Sequence, residues 1–418
     1  MFTPEEVAAH DRPNDCWLIV RGSVYDVSPL VPEHPGGDMI LLKAGGDVTS
    51  LFDAYHQQHV CRFLERFLIG RMQGGEERQH DDFFYVTLKR RVLNHLGGPG
   101  RGTFGFHVKA WLVIAMAAAL YRACFFIVWP PVVAGVMAAV FGLSLAQVLF
   151  NVAHDAGHYA ASSSNAVCRA YVLCADVIGW SSFMWAQQHV VGHHTHTNVE
   201  GMDPDIRMTP IINVTTTQPR MWHHRLQHVY TLPLYGLAHT LNTVMDVWAL
   251  LSGRLGTVRV PPMSGPDRAI FWGGKAAFAT WAILLPATFS PLPMAHVAAL
   301  LGVAMLFAGW SLGLVFQIAH VNPDSRVVTA PNESWARGQI MATADFCPGS
   351  WFWTHFTGGL NYQTVHHLLP GVCHMHYPAL APIVRRTCAE FGVPYVVYPT
   401  IWAALSAHFK HLYAMGQV

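Results

Sequence analysis

Three short histidine clusters contain the residue types in this chain that are best suited to bind a transition metal. His154 and His158 are four residues apart, a spacing that places two side chains on one face of a helix. In the second cluster, His189 and His193 repeat this spacing and His194 follows directly. In the third cluster, Gln363 precedes His366 by three residues and His367 by four. The seven histidines are His154, His158, His189, His193, His194, His366 and His367. Because imidazole is the commonest transition-metal ligand, the pattern predicts a metal centre.

The composition of the whole chain supports a membrane-bound metalloprotein. The 418 residues include 26 histidines, as many as lysine and arginine together, and only 12% are charged, against about 25% in soluble domains. A net charge of +1 gives no overall field that would attract nucleic acid. The eight cysteines form no CxxC pair, so neither a disulfide scaffold nor a cysteine zinc site is expected.

The N-terminal region contains a second motif, His34-Pro35-Gly36-Gly37. Alone it is compatible with a plain turn, since proline fixes φ and glycine accepts unusual dihedrals. Together with Asp15-Cys16-Trp17, Gly45-Gly46-Asp47 and Phe52-Asp53-Ala54-Tyr55-His56, it makes residues 1–73 resemble cytochrome b5. The resemblance implies a b-type heme with His34 and His56 as axial ligands, a coordination suited to electron transfer. The spacing from Phe52 to His56 is one residue shorter than in the free-standing cytochrome, which leaves His59 as the alternative second ligand.

The donor set of the three clusters indicates which metal they hold. Structural zinc takes four ligands, usually with sulfur among them, whereas these clusters offer about eight donors and no cysteine. Two first-row ions fit this number of imidazoles, and iron fits a chain that also carries a heme electron donor. The residues therefore predict a heme-fed, two-metal oxidase in a membrane.

The segments HDAGH, QHVVGHH and GGLNYQTVHH resemble the membrane fatty-acid desaturases, and the resemblance covers essentially the whole chain. Gln363 at the head of the third box, with the cytochrome b5-like region, resembles the front-end subgroup. That subgroup inserts a double bond between an existing one and the carboxyl end of the acyl chain. The di-iron ligands implied by this resemblance are His154, His158, His189, His193, His194, Gln363, His366 and His367.

Two further positions bear on this resemblance. His320, at the end of the last apolar segment, matches the family's additional histidine ligand; the alternative is a helix-end histidine that caps backbone carbonyls. Val365 departs from the pattern, since glutamate usually precedes the final histidine pair, and the QTVHHLLP version resembles desaturases that act at carbon 5.

The resemblance also implies the cofactors and partners. These are heme b, two non-heme iron ions, O₂ as co-substrate, a fatty acyl lipid or acyl-CoA substrate, and NAD(P)H acting through a separate cytochrome b5 reductase. No GxGxxG fingerprint for binding the nicotinamide cofactor directly is visible in the sequence. The alternatives are a sphingolipid long-chain-base desaturase, a hydroxylase fused to cytochrome b5, and a membrane-tethered electron carrier with inactive clusters.

The spacing of charged residues locates the helices that must position these side chains. No Asp, Glu, Lys or Arg occurs between Arg122 and Asp155 or between Lys275 and Asp324. A membrane helix needs about 20 apolar residues, so each gap, with its flanks, holds two spans separated by a proline-containing break. The predicted spans are 108–128, 132–153, 271–289 and 295–319. Two other apolar stretches, 167–186 and 229–251, are interrupted or charged and are expected to lie at the membrane interface.

Basic residues precede both predicted helical hairpins, which places both termini and residues 155–270 in the cytosol by the positive-inside rule. The membrane of the endoplasmic reticulum is the expected location. We predict a small α+β cytochrome b5-like heme domain at 1–73, a linker at 74–100 with an amphipathic helix from Phe83 to Leu96, and an all-α polytopic membrane domain at 101–418. Its four transmembrane helices would carry a cytosolic, histidine-rich di-iron cap.

Overall fold

The structure is a computed structural model that describes residues 1–56, 58–73, 83–206, 208, 210–329 and 334–417. Its N-terminal part is an antiparallel four-stranded sheet in which the strands neighbour one another in chain order: Asp11–Arg12, Asp15–Val20, Ser23–Asp26 and Leu68–Arg71. Cys16, Leu18 and Val20 alternate along the second strand and face a common core, as expected for a half-buried strand. The helical segments around this sheet are Pro4–Ala8, Ser28–Glu33, Gly37–Leu41, Thr49–Tyr55, Gln58–Leu64 and Glu65–Phe67.

Residues 74–82 of the predicted linker lie outside the described part of the chain, and the helix that follows them spans Phe83–Leu96, the range expected from the sequence. Its side chains at Phe84, Leu88 and Val92 repeat every four residues and pack in one core with the C-terminal helix Tyr377–Glu390. Gly97 then takes a left-handed φ of 65°, which ends the helix. This helix therefore lies along the C-terminal part of the membrane domain.

Four helices are long and apolar enough to cross a membrane, and each coincides with a predicted span to within a few residues: Phe104–Phe126, Pro131–Gly157, Gly265–Phe289 and Met294–His320. The second and fourth helices pack tightly against each other. A Cβ atom on Gly142 would lie 2.0 Å from the carbonyl oxygen of Ala304, so the close approach requires glycine. Both helices end in a predicted ligand region, at His154 and His320, and this shared direction brings the two regions to one end of the bundle.

A bent pair of helices, Asn165–Val177 and Ser182–His196, could also pass as one broken span by length and composition. The two helices meet at 106°. His158 precedes the pair and His194 lies within it, yet their rings are 4.8 Å apart, so the chain leaves and returns to the same end of the bundle. This return supports the expectation that 167–186 does not cross the membrane.

The stretch predicted at 229–251 forms two helices, Gln227–Gly236 and Ala238–Ser252. Both expose a series of large apolar side chains, a pattern typical of helices that lie on a membrane surface: Val229, Leu232, Leu237, Leu241, Val244, Met245, Trp248 and Leu251. The remaining helices and strands complete the region that bears the histidines: Trp222–Leu226, Arg254–Leu255, Val258–Arg259, Trp335–Met341, Ala344–Phe346, Trp351–Phe356, Leu360–Tyr362, Gln363–Leu368, His374–His376, Val396–Tyr398 and Ile401–Gln417.

Candidate metal centre

All nine side chains predicted as iron ligands lie in one buried cluster, and each exposes 5% or less of its surface. Seven of them form two sets, and within each set the ligand atoms lie within 4.8 Å of one another. The first histidine group consists of His154, His158, His189 and His366; the second histidine group consists of His193, His320 and His367. His194 lies between them, within the same distance of His366 and His367. Gln363 adjoins the second group, with its amide nitrogen 2.9 Å from Nε2 of His320.

A local change of helix type explains how the second sequence cluster serves both groups. Residues Ala186–His193 form a π-helix, in which the backbone hydrogen bonds run from i to i+5 and each turn is wider than in an α-helix. The sequence predicted that three rings of this cluster could converge on one centre. Instead His189 joins the first group, His193 joins the second, and His194 bridges them. A second π-helical turn, Leu149–Ala153, directly precedes His154.

The third sequence cluster also divides between the two groups. It lies on the short helix Gln363–Leu368, where His366 belongs to the first group while Gln363 and His367 face the second. The helix is fixed at its N-terminal end because the backbone N–H of Thr364 donates to Asp345, at 2.9 Å. The other carboxylate oxygen of Asp345 accepts a short hydrogen bond from Tyr395. The buried carboxylate thus holds the helix that carries the third cluster.

The first histidine group is supported from behind by two tyrosines. Nδ1 of His158 lies 2.7 Å from the hydroxyl of Tyr55, and Nδ1 of His366 lies 3.2 Å from the hydroxyl of Tyr377. Nε2 of His158 and Nε2 of His366 are buried and have no hydrogen-bond partner within the described ranges. Buried, unpaired ring nitrogens that converge on one point are what a metal ion requires, so this donor set fits a first-row ion such as iron.

The second histidine group is supported by oxygen acceptors. Nδ1 of His193 lies 3.1 Å from the carboxylate of Asp203, and Nδ1 of His367 lies 2.7 Å from the amide oxygen of Gln339. Nδ1 of His320 lies 3.0 Å from the backbone carbonyl of Ala342. A ring that donates Nδ1–H in this way presents the Nε2 lone pair on its other side, as in metal-bound histidines. His320 therefore both bonds a carbonyl, as its alternative role predicted, and faces the cluster.

These supporting residues were not predicted as functional. Tyr55, Gln339 and Tyr377 carry no motif of their own, and they become meaningful only through contacts with residues far along the chain. Asp203 was not among the predicted ligands either. The sequence offered one signal for Asp203, an acidic residue ten positions after His193, and the structure shows this carboxylate buried against the His193 ring.

Electrostatics favour the neutral form of most of these rings. Burial, together with the charges of neighbouring histidines, lowers the pKa of His158, His366 and His367 well below the ordinary value. Neutral imidazole is the form that binds a metal. His193 is the exception: burial lowers its pKa, but Asp203 and Asp205 together raise it to about 9. A metal ion at that ring would therefore displace a proton.

An apolar cavity adjoins the first group. It has a volume of about 20 Å³ and is lined by His154 together with Phe150, Trp185, Leu312 and Phe316. This volume holds about one water molecule, so a larger apolar guest would have to displace these side chains. The cavity places apolar surface directly beside an imidazole of the cluster.

The two predicted heme ligands lie together in the N-terminal region. The ring centroids of His34 and His56 are 5.9 Å apart. Nδ1 of His34 contacts the carbonyl of Gly37 at 3.3 Å, and Nδ1 of His56 contacts the carbonyl of Phe52 at 3.2 Å, which frees both Nε2 atoms for an axial ligand role. Burial and the neighbouring His34 lower the pKa of His56 to about 4, so its ring is neutral. The side chain of His59, the alternative ligand, lies outside the described part of the chain.

Comparison with known proteins matches a different family model to each of the two parts of the chain. The fatty acid desaturase family matches residues 127–399, and the cytochrome b5-like heme/steroid binding domain matches residues 3–73. The chain therefore belongs to the fatty acid desaturase family, is an oxidoreductase of that family, and has a cytochrome b5-like domain at its N-terminus. This confirms the predicted fold class, an α+β cytochrome b5-like domain followed by a helical membrane domain.

Several relatives align over nearly the full chain. An acyl-lipid (8-3)-desaturase of Physcomitrium patens is 39% identical over 99% of this chain and 91% of its own length. An acyl-lipid (8-3)-desaturase of Mortierella alpina is 33% identical over 99% and 97% of the two chains. Delta(5) fatty acid desaturase A of Dictyostelium discoideum is 33% identical over 99% and 94%. Among solved structures, cytochrome b558 of Ectothiorhodospira vacuolata is 41% identical and covers 17% of this chain and 94% of its own, with a TM-score of 0.16.

Proposed function

We propose that this protein is a front-end desaturase that inserts a cis double bond into a polyunsaturated acyl chain, on the carboxyl side of an existing double bond. Gln363 beside the second histidine group supports the front-end assignment, since a glutamine in this position resembles that subgroup. The delta-5 position is favoured because one relative named above carries that regiochemistry in its name, and the QTVHHLLP segment resembles the same subgroup.

The observation that carries the proposal is the set of buried donor atoms that have no partner within the described ranges: Nε2 of His158, Nε2 of His366 and the amide oxygen of Gln363. We assign one iron ion to the first histidine group and one to the second, with His194 between them and Gln363 as a ligand of the second. With O₂, iron at these positions would supply the oxidising power to remove two hydrogens from adjacent methylenes. The protein holds His158, His366 and His367 neutral, excludes water and places apolar surface beside His154.

We assign His34 and His56 as the two side chains that would hold heme b; when bound, the heme would supply electrons one at a time to the iron pair. The electrons would come from NAD(P)H through a separate cytochrome b5 reductase. In this proposal residues 1–73 form the heme domain, residues 74–100 the linker, and residues 101–418 the membrane domain that holds the iron. We place the protein in the endoplasmic reticulum membrane with both termini in the cytosol, where such a reductase could reach the heme domain.

Expression in yeast tests the reaction. Cells are fed a panel of polyunsaturated acids that differ in chain length and in the position of the double bond nearest the carboxyl group. The proposal expects one new double bond on the carboxyl side, located by mass spectrometry of the derivatised lipids, and it expects none in a His366→Ala control at matched expression. A new double bond only in sphingoid bases would instead support the long-chain-base desaturase, and no new bond in any lipid would contradict both.

Absorbance spectroscopy tests the heme assignment. His34→Ala and His56→Ala should each abolish the heme spectrum and the product, while non-heme iron remains in the membrane domain, because the two sites use different side chains. His59→Ala is the matched control and should keep a normal spectrum. A bis-imidazole spectrum that survives in His56→Ala would transfer the assignment to His59.

A further inference from the structure

One hydrogen bond connects the heme-ligand region directly to the first histidine group. Tyr55 is the last residue of the helix Thr49–Tyr55 and is joined by a peptide bond to His56. Its hydroxyl lies 2.7 Å from Nδ1 of His158, a residue 103 positions away. Nε2 of His158 is buried and has no partner in the described part of the chain, so a metal at Nε2 would leave Nδ1–H to donate to the Tyr55 oxygen.

The backbone on both sides of Tyr55 is held in place by the linker helix Phe83–Leu96. Nζ of Lys89 on that helix donates to the carbonyl oxygens of Asp53 and His56, both at 2.7 Å. The same ammonium lies 4.6 Å from the centre of the Tyr85 ring, a distance at which cation–π attraction acts. Lys89 therefore fixes the end of the helix that carries Tyr55 and the peptide of the predicted heme ligand.

The ring of Tyr55 is confined from the opposite side by the segment after the third histidine cluster. A Cβ atom on Gly371 would lie 3.2 Å from that ring, which leaves little space between the two. Arg101 donates to the carbonyl oxygens of Gly371 and Tyr159, at 2.8 and 2.7 Å. The position of Tyr55 is thus set by the membrane domain as well as by its own helix.

The loop that carries the other heme ligand also lies against the membrane domain. The side-chain amide of Asn165 donates to the carbonyl of Pro35, the residue after His34, at 2.9 Å. The amide of Gln187, two residues before His189, donates to the carbonyl of Leu42 at 3.4 Å. The N-terminal region therefore docks at several points around the histidine cluster, and within the described ranges only Tyr55 among these contacts reaches a ring of that cluster.

We propose that Tyr55 is a positioning residue that couples the heme to the first histidine group, and this inference rests on the proposed function. The route runs from His56 through one peptide bond to Tyr55 and through one hydrogen bond to His158. One electron leaves a ferrous heme iron, which becomes ferric, and one ferric ion at the first group becomes ferrous. Tyr55 is neither oxidised nor reduced in this electron transfer, no covalent bond forms or breaks, and no proton moves.

The test measures electron transfer rather than product. Full-length protein in lipid nanodiscs, loaded with heme and iron, is kept anaerobic in the oxidised state, and the heme is reduced by a light flash with a deazaflavin donor. The return of the oxidised heme absorbance reports transfer to the non-heme iron. Tyr55→Phe removes only the hydroxyl and should slow this return by at least about tenfold, the scale of effect known for residues behind metal ligands. Heme content, heme midpoint potential and non-heme iron content should stay at wild-type values.

Tyr377→Phe is the matched control, because it removes the same kind of hydrogen bond from His366, whereas Tyr377 is not a chain neighbour of either predicted heme ligand. It should slow the return much less than Tyr55→Phe. Equal slowing by the two variants, an unchanged rate in Tyr55→Phe, or loss of non-heme iron from Tyr55→Phe would each overturn the coupling role. If Tyr55→Phe does not fold, Lys89→Met takes its place. This variant removes the hydrogen bonds from Lys89 to the carbonyl oxygens of Asp53 and His56, so heme reoxidation should be slower. An unchanged rate of heme reoxidation would overturn the proposal.

The wild-type protein separates this inference from the proposed function. Absence of heme or of non-heme iron, or a reduced heme that does not return to the oxidised state in the intact protein, would contradict the proposed function itself. Wild-type transfer that Tyr55→Phe leaves unchanged would contradict only the role of Tyr55.

Discussion

The two histidine groups lie side by side but are supported by different chemistry. Behind the first group, His158 and His366 contact the phenol hydroxyls of Tyr55 and Tyr377. Behind the second group, the rings meet stronger acceptors, namely a carboxylate, an amide oxygen and a backbone carbonyl. Since an acceptor behind a histidine raises the basicity of its metal-facing nitrogen, the three rings of the second group are stronger donors than His158 and His366.

The difference is balanced by the remaining member of the second group. Gln363 offers an amide, a weaker and harder donor than imidazole, whereas the first group has four imidazoles. The carboxylate behind His193 thus compensates for a weak ligand elsewhere in the same group. The comparison predicts that the two iron positions assigned above are not equivalent, and the following changes test that asymmetry in order of decreasing effect.

His366→Ala removes an imidazole of the first group with no replacement and should have the largest effect. We expect loss of non-heme iron and a fall in product of more than about 100-fold, beyond what changes behind the ligands cause. Non-heme iron relative to heme, measured by metal analysis of the purified protein, checks this. Heme absorbance is the internal control, and full retention of two non-heme irons for each heme would contradict the assignment of His366.

Asp203→Asn keeps the shape of the side chain but removes the charge behind His193, so it weakens the second group selectively. Iron affinity or product should fall by about 10- to 100-fold. Without Asp203, the pKa of His193, now about 9, should also fall toward the value that burial favours. Asp267→Asn changes a partly exposed residue that caps the start of the helix Gly265–Phe289; it is the matched control and should leave iron titrations unchanged. Similar iron titrations for Asp203→Asn and Asp267→Asn would show that the Asp203 carboxylate does not strengthen iron binding by the second histidine group.

Substitutions of Gln363 test the weak ligand directly. Gln363→His should keep both non-heme irons but alter the product yield, because it makes the second group all-imidazole like the first. Gln363→Leu should lower iron occupancy by less than His366→Ala, since the remaining three rings of its group persist. Iron content and product are measured for all variants in yeast membranes at matched expression. Wild-type iron together with wild-type product in Gln363→Leu would place the glutamine outside the coordination sphere.

Tyr377→Phe should have the smallest effect on iron binding. The phenol is a neutral partner, and a single neutral hydrogen bond contributes about 1 kcal/mol. We expect both irons to remain, with a drop in product of less than about tenfold. If this variant lost as much iron as Asp203→Asn, the proposed difference between the two groups would be wrong.

Much of this arrangement could be predicted from the sequence because it depends on local spacing. The HxxxH pairs, the charge-free gaps and the His34-Pro35-Gly36-Gly37 motif are all read within one or two helical turns. These patterns predicted the four spans and eight of the nine residues that meet in the cluster, while His320 followed from the family resemblance. Whether each of the nine binds iron stays a prediction.

The division of the cluster into two groups could not be predicted in the same way. Helical periodicity assumes 3.6 residues per turn, and the π-helix Ala186–His193 departs from it. His189 belongs to the first group and His193 to the second, although their ligand atoms also lie within 4.8 Å of each other. The supports behind the rings were also out of reach, because Tyr55 and His158 meet only through the docking of the N-terminal region. Long-range contacts of single residues leave no periodic signal in the sequence.

The π-helix makes the geometry of this region sensitive to the number of residues that it contains. A π-helical turn accommodates one residue more than an α-helical turn, so Ala186–His193 depends on its exact length as well as on its side chains. Deletion of a single residue there would replace a wide turn by an α-helical one and so change the angular spacing between the histidines of this segment. Point substitutions on the outer face of this segment leave the rings in place, whereas insertions and deletions do not. The same argument applies to the π-helical turn Leu149–Ala153 before His154, so the geometry of the first and second clusters depends on the number of residues in these turns.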